Sequence, residues 1–149
     1  MNKNAKILLV EDNKGDIILT LEALKDAKAG NSVVVVRDGE EAMQYLLRQG
    51  QYKNAETPDI ILLDINLPKM NGKEVLEEIK KNEALKIIPV IMLTTSNSEK
   101  DILDSYRNHA NCYVTKSSDF QKFMGKVNML VDFWLEIVEL PNKWKIQEP

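Results

Sequence analysis

A parallel β-sheet flanked by helices on both faces is the fold class this sequence predicts. Three observations carry that expectation. Five short apolar runs alternate with five amphipathic segments, the pattern of repeated strand–helix units. The runs are continuous rather than alternating, as expected of strands buried on both faces. Finally, Glu11-Asp12, Asp64 and Lys116 directly follow three of those runs. That places them at the carboxyl edge, where open parallel sheets bind ligands.

The elements follow in order. Apolar runs near 6–10, 32–36, 59–63, 88–93 and 112–115 read as strands. The first helix, about 15–28, puts Ile17, Leu21 and Leu24 on one face, and Gly30-Asn31 should end it. The second, about 38–49, groups Ala42, Tyr45 and Leu46. A polar connection from Gln49 to Pro58 follows. Leu67-Pro68 to Asn71-Gly72 forms a turn directly after the third strand, and the third helix, about 72–82, buries Val75, Leu76 and Ile79. Pro89 opens the fourth strand, where a missing N–H is tolerated. A fourth helix covers about 98–108 and a fifth about 118–139. Right-handed crossovers leave few ways to connect these pieces. One domain, 1–140, with a short tail, 141–149, is the economical organisation.

Composition narrows the function classes. The chain has 149 residues, enough for one domain with a real core. A formal net charge of -3 gives no footprint for nucleic acid. One Cys (Cys112) and one His (His109) provide no zinc-ligand spacing and no internal disulfide, so a reducing compartment is expected. Cys112 reads as a small buried residue and His109 as a surface or turn residue. The chain opens without a secretory apolar segment, and no apolar stretch approaches the roughly 18 residues of a membrane span. The expected compartment is the cytoplasm, with neither nucleic acid nor membrane as a partner.

The chemistry gathers at the strand ends. Glu11-Asp12 could simply cap the first helix, and Asp16 could serve the same helix start. Asp64 is harder to explain as a turn residue. It ends the most hydrophobic strand, where a carboxylate is costly unless paired or metal-bound. If the first and third strands are neighbours, Glu11, Asp12 and Asp64 converge and repel, which a hard cation such as Mg²⁺ relieves. Asp12 and Asp64 would be the direct ligands, with Glu11 acting through water. Lys116 could neutralise a phosphoryl oxygen as a compact point charge, and the Thr94 hydroxyl could donate to the same group. A carboxylate so placed can attack phosphorus and form an acyl phosphate. No nucleotide-binding glycine loop is present, so the phosphoryl donor should be a partner protein or a small phosphate. A small phosphohydrolase with an aspartyl nucleophile is a second class, although Asp64-Ile65-Asn66 lacks the second aspartate such enzymes use. A flavin module on a similar sheet is disfavoured because Glu11-Asp12 would repel the flavin phosphate.

These pieces resemble a known family, the receiver domains of two-component response regulators. The matching segments are Ile7 to Asn13, Asp64 to Gly72, Pro89 to Thr95 and Tyr113 to Lys116, within a resemblance over roughly residues 4–135. It implies a flavodoxin-like fold with strand order 2-1-3-4-5 and five helices. It also implies that Asp64 is the phosphoacceptor, served by a histidine kinase. Glu11, Asp12 and the Asn66 carbonyl would hold Mg²⁺, and Thr94 and Tyr113 would form the switch pair. Slow loss of the phosphoryl group is expected in place of enzymatic turnover. One departure stands out: Ser117 follows Lys116, where the family has proline, often after a cis bond. A trans bond with a shifted loop, or a strained one, is expected.

Glu11-Asp12-Asn13, the long Gln49–Pro58 connection, Leu93 to Ser96 and the long fifth helix resemble stand-alone regulators paired with bacterial phytochrome kinases. That likeness implies light signalling. Only a short tail remains after the fifth helix, so no DNA-binding domain is expected to follow it. On that helix Phe120, Phe123, Met124, Val127, Val131, Trp134 and Val138 form one apolar face, expected to cover the sheet. Met129, Phe133 and Ile137 form a second stripe. It would pair two copies in a homodimer or be covered by the tail through Trp144 or Ile146.

Overall fold

The computed structural model describes residues 4–141. Five parallel strands, β1 (Ala5–Val10), β2 (Asn31–Val36), β3 (Ile60–Leu63), β4 (Val90–Thr94) and β5 (Cys112–Thr115), form one sheet in the order β2-β1-β3-β4-β5. The helices are α1 (Lys14–Lys25), α2 (Gly39–Leu46), α3 (Gly72–Lys81), α4 (Glu99–Arg107) and α5 (Phe120–Asp132). The fold class and strand order therefore agree with expectation. A 3₁₀ turn, Gly50–Tyr52, sits inside the connection read as irregular, and a π-helical turn, Phe133–Ile137, continues α5.

The sheet separates two apolar layers. On one side Leu8, Ile61, Leu63 and Met92 pack with Val75, Leu76 and Ile79 of α3 and Ala42 and Leu46 of α2. On the other, Ile7, Leu9, Leu62 and Ile91 meet Ala23 and Leu24 of α1 and Phe123, Val127 and Val131 of α5. Successive strand residues point to opposite faces. The continuous apolar runs of β1, β3 and β4 supply both layers at once.

Helix starts match their chemistry. Asn13, Asp38, Asn71, Ser98 and Asp119 each accept from the N–H three residues on, satisfying orphan donors of the first turn. Asn71 and Glu74 complete a reciprocal capping box.

Several expectations are corrected. β2 was expected to be buried on both faces, but it is an edge strand with Ser32 and Val34 exposed. α1 ends at Lys25, before Gly30. Its C-cap is Asp26, and the Asn31 side chain reaches back to the Leu24 carbonyl at 3.0 Å. α1 buries Ile17, Thr20, Ala23 and Leu24, leaving Leu21 half-buried; Ala23 and Leu24 pack with α5 as well as with the sheet. Tyr45 in α2 and Cys112 on the edge strand β5 are also only half-buried. Phe120 does not cover the sheet. It is the first residue of α5 and is exposed. Val138 falls in extended backbone past the π-turn. His109 is exposed at a left-handed turn (φ 71°), as expected. Residues 142–149, with Trp144 and Ile146, lie outside the described residues. Among the described residues no helix is long and apolar enough to cross a membrane.

Candidate functional site

The site is built by strand ends. The Glu11 N–H donates to the Val36 carbonyl at 3.0 Å, and that of Asp64 to Val10 at 3.0 Å. The Lys116 N–H donates to Thr94 at 2.7 Å. These ladder bonds run one residue past the strands and hold three functional residues at fixed register across the sheet. Glu11, Asp64, Thr94 and Lys116 are all buried, whereas Asp12 is exposed.

The Lys116 ammonium binds three carboxylates. It donates to Glu11 Oε1 at 2.5 Å, Asp16 Oδ2 at 2.8 Å and Asp64 Oδ2 at 3.3 Å. An ammonium has three protons to donate, so its capacity is filled. The Lys116–Ser117 peptide is trans, as is every other described peptide, and the lysine nevertheless reaches Asp64. Burial alone would pull its pKa down. The hydrogen bonds to Asp16 and Glu11, with the charges of Asp64 and Glu11, outweigh burial and raise it. Glu11 is pushed up to about 7, first by burial and then by the Asp64 charge, against the pull of Lys116. Three carboxylates share this one ammonium.

Asp12, Ile65, Asn66, Leu67, Pro68, Asn71, Lys73 and Asp101 line an adjoining groove of about 510 Å³. Arg37 Nη2 donates to the Asp12 carbonyl at 2.9 Å, tying the loop after β1 to the end of β2. The Asn66 N–H lies 3.4 Å from Asp64 Oδ1. Among the described residues, no three His, Cys, Asp or Glu side chains are drawn together as a metal centre. Lys116 stands between Glu11 and Asp64 instead, and Asp12 faces the groove. Donor chemistry nonetheless fits a hard cation: carboxylate and carbonyl oxygens, with negative charge in excess.

The switch candidates lie one strand further. The Ser96 N–H is 3.4 Å from Thr94 Oγ1, and the Tyr113 hydroxyl donates to the Ser96 carbonyl at 2.8 Å. Thr94 and Tyr113 are thus joined through the loop after β4, and the half-buried Tyr113 ring packs on the α3 side of the sheet. Sequence reasoning missed two features. Asp16 was read as a helix-start acid, yet it is a direct partner of Lys116. Its position one turn beyond Asp12, facing the same sheet end, was the available signal. Lys73, bridging to Asp101 at 2.7 Å and Asp104 at 3.1 Å, joins α3 to α4. Asp101 also accepts from Ser96 Oγ at 2.6 Å. No local pattern announces that latch.

The latch predicts acid sensitivity. The Lys73 hydrogen bond, then the Ser96 hydroxyl, hold Asp101 below its ordinary value of 3.8. A carboxyl depressed in the folded state contributes stability above its unfolded pKa and loses it as pH falls through the folded one. The melting temperature of the parent should therefore drop more steeply than that of Asp101→Asn between about pH 4 and pH 2. Parallel acid limbs would count against the latch.

Comparison with known proteins agrees with this geometry. The family model described as the response regulator receiver domain matches residues 7–128. The chain is 50% identical over 135 residues to the response regulator Rcp1 of Synechocystis sp., covering 91% of this chain and 92% of that protein. Among solved structures, the phosphorylated cyanobacterial phytochrome response regulator RcpA superposes with a TM-score of 0.91. It is 52% identical and covers 93% of this chain and 99% of its own. The Mn²⁺-bound form of Rcp1 gives 0.90 at 49% identity, covering 92% of this chain and 99% of its own. A match of this extent places the chain in the response regulator receiver domain family and makes it a component of two-component signal transduction.

Proposed function

We propose that Asp64 accepts a phosphoryl group from the phosphohistidine of a sensor histidine kinase of the phytochrome type, in a cytoplasmic, light-dependent relay. The 1–140 segment acts as the receiver unit. One observation carries the reading: Glu11 just past β1, Asp16 in α1 and Asp64 just past β3 converge on the single Lys116 ammonium. Glu11, Asp12, Asp64 and the Asn66 carbonyl are the residues to hold Mg²⁺, which when bound supplies charge neutralisation for the incoming phosphoryl oxygens.

An Asp64 oxygen attacks phosphorus. The O–P bond forms as the N–P bond breaks, and the imidazole leaves with the electron pair. Lys116 and the Thr94 hydroxyl bind phosphoryl oxygens. Movement of Thr94 toward that group pulls on the Ser96 loop and the Tyr113 hydroxyl bonded to it. A local charge change thereby biases a two-state surface. Acetyl phosphate with Mg²⁺ tests the reading: intact mass should show one added phosphoryl group per chain. No gain overturns it, as does hydrolysis of a phosphate ester beyond one equivalent per chain, which points to a phosphohydrolase.

The regulated surface includes a homodimer contact on α5. Met129 is 74% exposed and Ile137 70%, with Phe133 between them along the helix, an apolar stripe suited to a second copy. Phe133→Glu should shift sedimentation from dimer to monomer, and an unchanged dimer would rule out this contact.

A further inference from the structure

We propose that Asp16 is a positioning residue that holds the Lys116 ammonium partly away from Asp64 and releases it when an anion arrives there. The inference rests on Asp64 being the phosphoacceptor. Lys116 lies nearest to Glu11 Oε1 (2.5 Å), then to Asp16 Oδ2 (2.8 Å), and farthest from Asp64 Oδ2 (3.3 Å), so the unmodified protein holds the ammonium closer to the helix acid than to Asp64. The α1 start is held by its cap: the Asp16 N–H donates to Asn13 Oδ1 at 2.9 Å, which fixes the first turn beside the strand ends.

The three partners differ in what release costs them. The Glu11 side chain is 2% exposed and that of Asp64 7%, whereas that of Asp16 is 26% exposed. A buried carboxylate left without its cation loses heavily, because no water replaces the lost bond. Asp16 is partly open to solvent and can exchange the ammonium for water at smaller cost than the other two. A phosphoryl group on Asp64 adds negative charge on the inner side of Lys116. The bond that gives way is therefore the outer one. Asp16 acts as a parking place that keeps the Asp64 oxygens less engaged before transfer and yields the cation afterward.

Beryllofluoride in saturating Mg²⁺, as the phosphoryl stand-in, tests this with the parent, Asp16→Asn, Lys116→Met and the double variant. Asp16→Asn should bind it roughly twofold to fivefold more tightly, the equilibrium equivalent of a partly exposed ion pair. Lys116→Met should bind more weakly, and adding Asp16→Asn to it should change nothing further. Equal tightening in both backgrounds would mean a through-space charge effect and overturn the proposal, as would unchanged affinity in Asp16→Asn. If Lys116→Met does not fold, the Lys116 Nζ resonance decides. It should shift more on anion binding in the parent than in Asp16→Asn, and equal shifts overturn the idea. A parent that neither binds beryllofluoride nor gains a phosphoryl group removes the phosphoacceptor reading, and this proposal with it.

Discussion

Asp64→Asn is expected to gain no phosphoryl group from acetyl phosphate and Mg²⁺ while becoming more stable than the parent in metal-free buffer. The two outcomes share one cause. The carboxylate is the nucleophile, and the amide that replaces it cannot form an acyl phosphate. It is also buried beside Glu11, whose pKa its charge raises. Removing that charge relieves repulsion without emptying the space, and Lys116 keeps its two shorter bonds, to Glu11 and Asp16. A gain of about 1 kcal/mol in Mg²⁺-free thermal unfolding is the scale expected. Mg²⁺ should then stabilise the parent more than the variant. Phosphorylation of Asp64→Asn at the parent's rate would move the acceptor elsewhere, and a less stable variant would show that the pocket is not short of positive charge.

Gly72→Ala should be among the most damaging single-methyl changes in the chain. Gly72 opens α3, and its N–H donates to the Ile65 carbonyl at 2.8 Å. A Cβ there would lie 2.0 Å from the Asp64 carbonyl oxygen and 2.8 Å from Ile65 Cα. Both are backbone atoms, so no rotamer change relieves the overlap. α3 would have to move off the end of β3, dragging Val75 and Leu76 from the core. The expected loss is about 3 kcal/mol, or roughly 6–12 °C in melting temperature. Phosphoryl acceptance should fall too, since the overlapping carbonyl belongs to Asp64 itself. Gly125→Ala is the control: its Cβ would meet nothing within 4 Å. A Gly72→Ala protein that melts with the parent would mean the helix start is more compliant than this packing allows.

Much of the molecule was legible along the chain because its signals are local. Continuous apolar runs marked β1, β3 and β4. Leu67-Pro68 to Asn71-Gly72 marked the turn between β3 and α3, and the acids and lysine at run ends marked the functional edge. Other features depend on partners far away in sequence. Lys116 and Asp16 are 100 positions apart; the one-turn spacing from Asp12 turns Asp16 toward the sheet end, but nothing local says that a lysine binds it there. The same holds for the Lys73–Asp101 latch, which exists only once α3 and α4 lie side by side. Packing also decided that β2 is an edge, that α1 turns Thr20 inward and Leu21 partly outward, and that Phe120 is exposed. By itself the sequence determined which segments are strands and helices, in what order, and which residues meet the carboxyl edge. Backbone propensity and hydrophobic period act within a few residues. Tertiary structure alone decided how one buried ammonium is shared among three carboxylates, because that depends on distances and desolvation set by the whole sheet.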